Sequence, residues 1–302
     1  MSLPRADALS PIDAATLWPQ LHRLKTEVIA TRVGENMLLG AGLAATGLGH
    51  LPRLPRTLVL GIRRGLRYRG VLVARELAGG AGWEVVSLRI SRVTDAEVVA
   101  GLLVSAAHEA SLRGAHTLYL RYAEASPHED GILHGGFVGY TREHLFATPA
   151  MIGAAAGGPF RKAVARDRAA IFRLYCRVVP ESVRRAEAVT QQQWRAVFDS
   201  YDCEAEHIVE GADTLHAWVG IGEHEARMMC DGGEWEAGLT LVHRRAKKPG
   251  SLVVSEYQEQ LANLAEECGF LPLGTRVVAA RQLAARNPLK EAAAVRSAPV
   301  PQ

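Results

Sequence analysis

The feature that most constrains the fold is one short unit that occurs twice, 133 residues apart. The first copy is the strand-like run Leu118-Tyr119-Leu120-Arg121-Tyr122, a short helical stretch, the pair Gly136-Phe137, and a second strand-like run reaching Leu145-Phe146. The second copy is Leu252-Val253-Val254-Ser255-Glu256, a helical stretch over 258–268, the pair Gly269-Phe270, and a run through Arg276-Val277-Val278. A chain of 302 residues that repeats one supersecondary unit reads as two related domains of about 130–150 residues each.

Hydrophobic periodicity fills in the rest. Residues 13–32 read as a helix, with Leu17, Leu21, Leu24 and Val28 at three- and four-residue steps and Asp13 as its cap. A weaker helical stretch over 35–46 runs into the Gly/Pro-rich segment 47–55. Strands are expected at 57–62 and 68–75, joined by Arg63-Arg64-Gly65, and at 83–90, with Val85, Leu88 and Ile90 inward. Residues 95–112 form an amphipathic helix ended by Gly114. The low-complexity run Gly153-Ala154-Ala155-Ala156-Gly157-Gly158-Pro159 marks a linker. Beyond it come a short strand over 160–165, a helix from Arg166-Asp167 with Ile171, Leu174, Tyr175 and Val178 on its buried stripe, and a further helix restarted by Pro180. Strands are expected at 204–210, 214–221 and 236–243. The domain limits are thus 1–150, a linker at 151–159, 160–288, and a disordered tail at 289–302.

Composition removes several function classes. The net charge of +3 is too small to argue for a nucleic-acid partner, and the bias of basic residues to Arg, with only five Lys, reads as a coding preference. Four Cys at 176, 203, 230 and 268 are too scattered for a metal knuckle or a disulfide scaffold. The start MSLPRADALSPID has no apolar signal core, and the longest uncharged run, 36–52, is too short and Gly-rich to span a bilayer, so a cytoplasmic protein without membrane contact is expected.

Helices, three antiparallel strands, a long helix, then strand, helix, Gly-Phe and strand: this order resembles the GNAT superfamily of acyl-CoA-dependent N-acyltransferases, over 57–148 and again over 160–283. The resemblance implies a mixed α/β (α+β) fold in two tandem domains, each a mostly antiparallel twisted sheet flanked by helices. It implies acyl transfer from acetyl-CoA or another acyl-CoA to a small-molecule amine. In the first domain the backbone of Leu88, Arg89 and Ile90 would meet the pantetheine arm, the segment Arg92-Val93-Thr94 would stand at the pyrophosphate, and Glu84 would be the general base.

The departures from the family pattern are specific. Its phosphate loop, R/Q-x-x-G-x-G/A, places small residues before the long helix so that backbone N–H groups can approach the diphosphate. Here Arg92 fits the first position, but Asp95 and Glu97 stand where the glycines belong. Either Thr94 or Asp95 serves equally as an ordinary N-cap. In the second domain only 244–250 separate the expected strands, which leaves no room for the coenzyme helix. The Asn and Tyr of the helix before Gly-Phe are replaced by Ala125 and Ile132 in one copy and by Gln258 and Ala265 in the other. Tyr140 and Tyr257 lie close by in packing positions. The alternative is therefore a non-catalytic subunit of the same fold, acting through a protein partner or as a homo-oligomer, or a sensor of another ligand.

Three other constellations carry less. Gly40-Ala41-Gly42-Leu43-Ala44-Ala45 lacks the preceding strand and later acid of a dinucleotide site. Arg53, Arg56, Arg63, Arg64, Arg67 and Arg69 form a basic hairpin that reads as a solvated face or an anion-binding patch. His128, Glu129, Asp130 and His134, and the strand residues His207, His216 and His224, are assigned no metal.

Overall fold

The computed structural model describes residues 3–29, 56–91, 95–149, 159–188, 190–201, 203–212, 214–245 and 250–283. The motifs at 35–55, residues 151–158 of the linker, Lys247-Lys248 and the tail lie outside the described residues, as do Arg92, Val93 and Thr94.

Among the described residues, apolar alternation lays thirteen strands into one mixed sheet. In chain order they are β1 (Asp7–Ala8), β2 (Leu24–Ile29), β3 (Thr57–Arg64), β4 (Arg67–Glu76), β5 (Gly82–Ser91), β6 (Thr117–Ala123), β7 (Val138–Ala147), β8 (Arg161–Lys162), β9 (Cys203–Glu210), β10 (Leu215–Gly222), β11 (Glu225–Cys230), β12 (Ser251–Ser255) and β13 (Leu271–Gln282). The helices are α1 (Pro11–Leu17), α2 (Ala96–Leu112), α3 (Glu129–His134), α4 (Arg168–Val178), α5 (Glu181–Glu187), α6 (Gln191–Asp199), α7 (Trp235–Arg245) and α8 (Glu259–Glu267).

The spatial order is β1-β3-β4-β5-β6-β13-β7-β12-β11-β10-β9-β8, with β2 on β5. The sheet does not divide at the linker. The last strand, β13, lies between β6 and β7, and β7 in turn lies between β13 and β12. Each half has given its final strand to the other. The β7–β13 pairing is symmetric about one point. Shifting every residue by the repeat distance turns Leu271↔Ala147 into Val138↔Ala280 and Thr275↔His144 into Arg142↔Val277, and leaves Arg276↔Glu143 on itself. Even the register breaks correspond: one skips Leu273 in β13 and the other skips Tyr140 in β7. The pair Glu143–Arg276 therefore sits on a pseudo-twofold axis.

Three expectations need correction. Residues 13–32 are not one helix: α1 passes into a 3-10 turn (Trp18–Arg23), and Leu24–Ile29 is strand. Residues 236–243 are not strand but part of α7, whose Gly238, Leu239 and Val242 are buried at helical spacing. The connecting helix expected to be missing from the second half is thus present, and the strand ahead of it is β11. The opening strand at 160–165 shrinks to the two residues of β8, and α4 starts at Arg168 after a 3-10 turn.

On β6, Leu118, Leu120 and Tyr122 enter the core with α2 residues Val99, Leu102, Leu103 and Ala106. Tyr119 and Arg121 point to the opposite face. There α4 and α6 pack on β10 through a run of rings, Phe172, Tyr175, Trp194, Phe198 and Trp218, with neighbouring centroids as close as 4.7 Å. At that spacing offset aromatic packing adds about 1 kcal/mol per pair beyond burial.

Candidate functional site

Two places in the sheet combine brief parallel pairing with early separation. Gly82, Trp83 and Glu84 of β5 pair with Thr117, Leu118 and Tyr119 of β6. Glu225, Ala226 and Arg227 of β11 pair with Ser251, Leu252 and Val253 of β12. Past these triplets each strand pair parts, and a helix, α2 or α7, makes the connection.

The halves differ beyond the split. In the amino-terminal half β2 lies antiparallel on the freed edge of β5, pairing Leu24 with Ser91, Lys25 with Ile90, Thr26 with Arg89, Val28 with Leu88 and Ile29 with Ser87. In the carboxy-terminal half no strand among the described residues pairs with 228–230 on the side facing β12. The Gln258 amide reaches that edge, donating to the Met228 carbonyl at 2.9 Å.

The helix starts differ as well. Asp95 caps α2, accepting the Val98 N–H at 3.2 Å and the Arg69 guanidinium at 3.0 Å, with Glu97 in the first turn. A carboxylate here serves the helix dipole and consumes a donor that a phosphate would need. Ahead of α7 the turn is only Asp231-Gly232-Gly233-Glu234. Gly232 has φ 127°, and a Cβ added at either glycine would meet nothing within 4 Å. Three acids crowd that turn and the first helical residues: Asp231, held by Arg177 Nε at 2.7 Å, then Glu234 and Glu236.

These features test the fit of coenzyme A. In the amino-terminal half the arm-binding edge is occupied by β2 and the helix start by Asp95, so the group does not fit. In the carboxy-terminal half the open edge at 228–230 and the two glycines suit an amide-bearing arm. The carboxylates at 231, 234 and 236 oppose a diphosphate.

Between the halves, on the α4–α6 face, lies a chamber of tyrosines around one carboxylate. Glu187 ends α5 and is 7% exposed. Tyr175 Oη donates to its Oε2 at 2.9 Å, Tyr140 Oη lies 3.4 Å from its Oε1, and Tyr119 Oη donates to its backbone carbonyl at 2.6 Å. Burial pushes the Glu187 carboxyl up to about 7, against the lowering effect of the Tyr175 hydrogen bond and of Arg121. Glu187, Tyr140, Gln193, Thr117 and Gln282 share the wall of a cavity of about 500 Å³, with Arg185 at its rim.

Next to the chamber runs a buried charge lattice. Glu84, wholly buried, pairs with Arg121 and with Arg75. Arg227 and Arg276 both bond Glu143, at 2.7 and 2.5 Å, and Arg276 also reaches Glu225. Burial alone would raise the Glu143 carboxyl, but Arg227, Arg276 and Arg121 together hold it well below the usual range. Arg227 lies 4.4 Å over the Tyr201 ring.

No family model and no curated protein sequence matches this chain. Solved structures do. A Pyrococcus horikoshii protein assigned as an acetyltransferase superposes with a TM-score of 0.51 at 10% identity, over 92% of this chain and 89% of its own. A tandem GNAT protein from the clavulanic acid biosynthesis pathway superposes at 0.49 with 13% identity, over 94% and 99%. A GNAT-family acetyltransferase from Colwellia psychrerythraea gives 0.45 with 10% identity, over 92% and 99%. The chain shares its fold with the Pyrococcus horikoshii structure.

Within that fold the residues expected from sequence scatter. Leu88, Arg89 and Ile90 do lie on the edge past the split, but their pairing is with β2. Glu84 is not a solvent-facing strand residue. It is wholly buried and locked between two guanidinium groups. Gln258, noted only as a missing Asn, sits on the open edge of β11. Tyr140, read as packing, bonds Glu187, and Tyr257, read likewise, is buried, which with the Glu187 charge raises its hydroxyl's pKa. Glu187 itself was not singled out. Its signal is its position four residues after Val183, on the buried stripe of a two-turn helix. None of the described helices is long and apolar enough to cross a membrane.

Proposed function

We propose that the protein transfers an acyl group from a thioester to an amine, and that its carboxy-terminal half carries the reaction. One observation supports this above the others: Glu187, a buried carboxyl poised at about 7, lines a cavity large enough for a small amine. A base matched to neutral pH contributes about 10²–10⁴-fold to a proton-transfer step. The thioester arm would lie along residues 228–230, and a bound acyl donor supplies the electrophilic carbonyl.

Glu187 accepts one proton from the amine as the C–N bond forms and the C–S bond breaks. The thiolate leaves and is protonated by that carboxyl or by solvent. Tyr175 and Tyr140 hold the carboxyl in place. Arg227, on the strand that bears the open edge, keeps a positive potential beside it. The amino-terminal half keeps the fold without the reaction, a reading supported by β2 on the edge of β5.

The test is thiol release from acetyl-CoA and from S-acetylpantetheine with a panel of primary amines between pH 5.5 and 8.5. The rate should rise with pH through about 7, and Glu187→Gln should lose about 100-fold or more. Release that is independent of pH, or a Gln variant within threefold of wild type, would remove Glu187 from the reaction. No release with any amine would sink the acyltransferase reading.

A further inference from the structure

We infer that the donor is recognised by its pantetheine arm alone, and that a nucleotide diphosphate adds nothing to its binding. This rests on the acyl-transfer reading of the carboxy-terminal half and narrows its donor.

The open edge supplies what an amide-bearing arm needs. Along 228–230 no strand among the described residues lies on the side facing β12, so the backbone groups there that Gln258 does not engage can pair with a ligand's amides as a strand would. The Gln258 amide, already on the Met228 carbonyl, marks that edge as one that accepts an amide donor. Continuing outward, an arm laid on this edge arrives at Gly232 and Gly233, whose surroundings are open. There coenzyme A would present its diphosphate to Asp231, Glu234 and Glu236. Arg177 is engaged with Asp231 and with the Leu215 carbonyl, so it neutralises an acid already present. The other half offers no substitute, because its edge is filled by β2 and its helix start by Asp95.

The chemistry that fits is an acylated pantetheine without a diphosphate at that point, either free or carried on a protein. Calorimetric titration of the full chain with pantetheine, with coenzyme A and with a phosphopantetheinylated carrier protein separates the sources. Pantetheine and coenzyme A should bind within about threefold of one another. Glu234→Gln/Glu236→Gln should tighten coenzyme A by about tenfold while leaving pantetheine unchanged. Hydrogen exchange should slow at 228–233 on saturation and stay unchanged at 87–91. If the carrier protein binds more than tenfold tighter than free pantetheine, the arm is delivered on a protein; equal or weaker binding makes it a free thioester.

Coenzyme A binding more than about 30-fold tighter than pantetheine would overturn this inference and leave acyl transfer standing. Failure of all three probes to bind would overturn both.

Discussion

Replacing Glu187 with Gln tests the physical state of the chamber without any substrate. Burial holds this carboxyl at about 7, where an unperturbed glutamate titrates at 4.5. The folded protein therefore binds the proton more tightly than the unfolded chain, and this group lowers stability as pH rises from about 4.5 to about 7. Below that window the carboxyl is neutral in both states and costs nothing. Above it, ionisation in place costs about 3 kcal/mol, at 1.36 kcal/mol for each tenfold change in proton affinity. Gln never ionises, and its amide oxygen can still accept from Tyr175. Urea unfolding of both proteins at pH 5 and pH 8.5 should show the variant gaining about 2–3 kcal/mol on wild type between the two conditions. With the steep denaturant dependence of a chain this long, that is a midpoint shift of about 1 M. The Tyr175 and Tyr140 bonds cancel out of this comparison of conditions. Parallel profiles, agreeing within about 0.5 kcal/mol at both pH values, would mean that Glu187 titrates like an exposed glutamate, and the base assignment would fall with it.

Three further outcomes follow from the packing. Residues 1–158 and 159–302 expressed apart should each fail to give a cooperative transition, because β13 fills a slot between β6 and β7; mixed, they should recover one, and an independent sharp transition in either fragment would contradict the exchange. Arg276→Met should cost about 3–5 kcal/mol by leaving Glu143 and Glu225 short of a counter-ion, whereas Glu143→Met/Arg276→Met should cost less than the sum of the two single changes, as read by denaturant unfolding. Asp95→Ala should cost about 1 kcal/mol in the same measurement, through the lost cap of α2.

Local signals were readable where one element satisfied its own pattern. The hairpin β3–β4, strand β5 and helix α2 fall within a residue or two of their expected limits, because alternation and the cap-to-glycine span are complete within each. β2 escaped because Leu17, Leu21 and Leu24 keep helical spacing across a change from helix to strand, and the free edge of β5 that fixes the strand lies some 60 residues downstream. For α7, Leu239, Leu241 and His243 alternate as a strand would, while Gly238, Leu239 and Val242 satisfy a helix; a segment this short supports both periods. The strand exchange has no local signature at all, since β13 would look the same paired within its own half. The site suffered most from distance. Glu84 reads as a free base because its partner Arg121 is 37 residues away, and Glu187 carries no local signal because its tyrosines come from β6, β7 and α4.

The axis pair Glu143–Arg276 has a consequence for what either half could be alone. A half that paired with a copy of itself would bring Glu143 against Glu143, or Arg276 against Arg276, at a buried point of the shared sheet. Each such homodimer would bury two like charges within hydrogen-bonding distance and strip them of their counter-ions. Opposite charges at equivalent positions are compatible only with unlike partners. The covalent link between the copies has thus been superseded by a chemical one: each half recognises the other and rejects itself. Neither copy can now change its central residue unless the other changes with it.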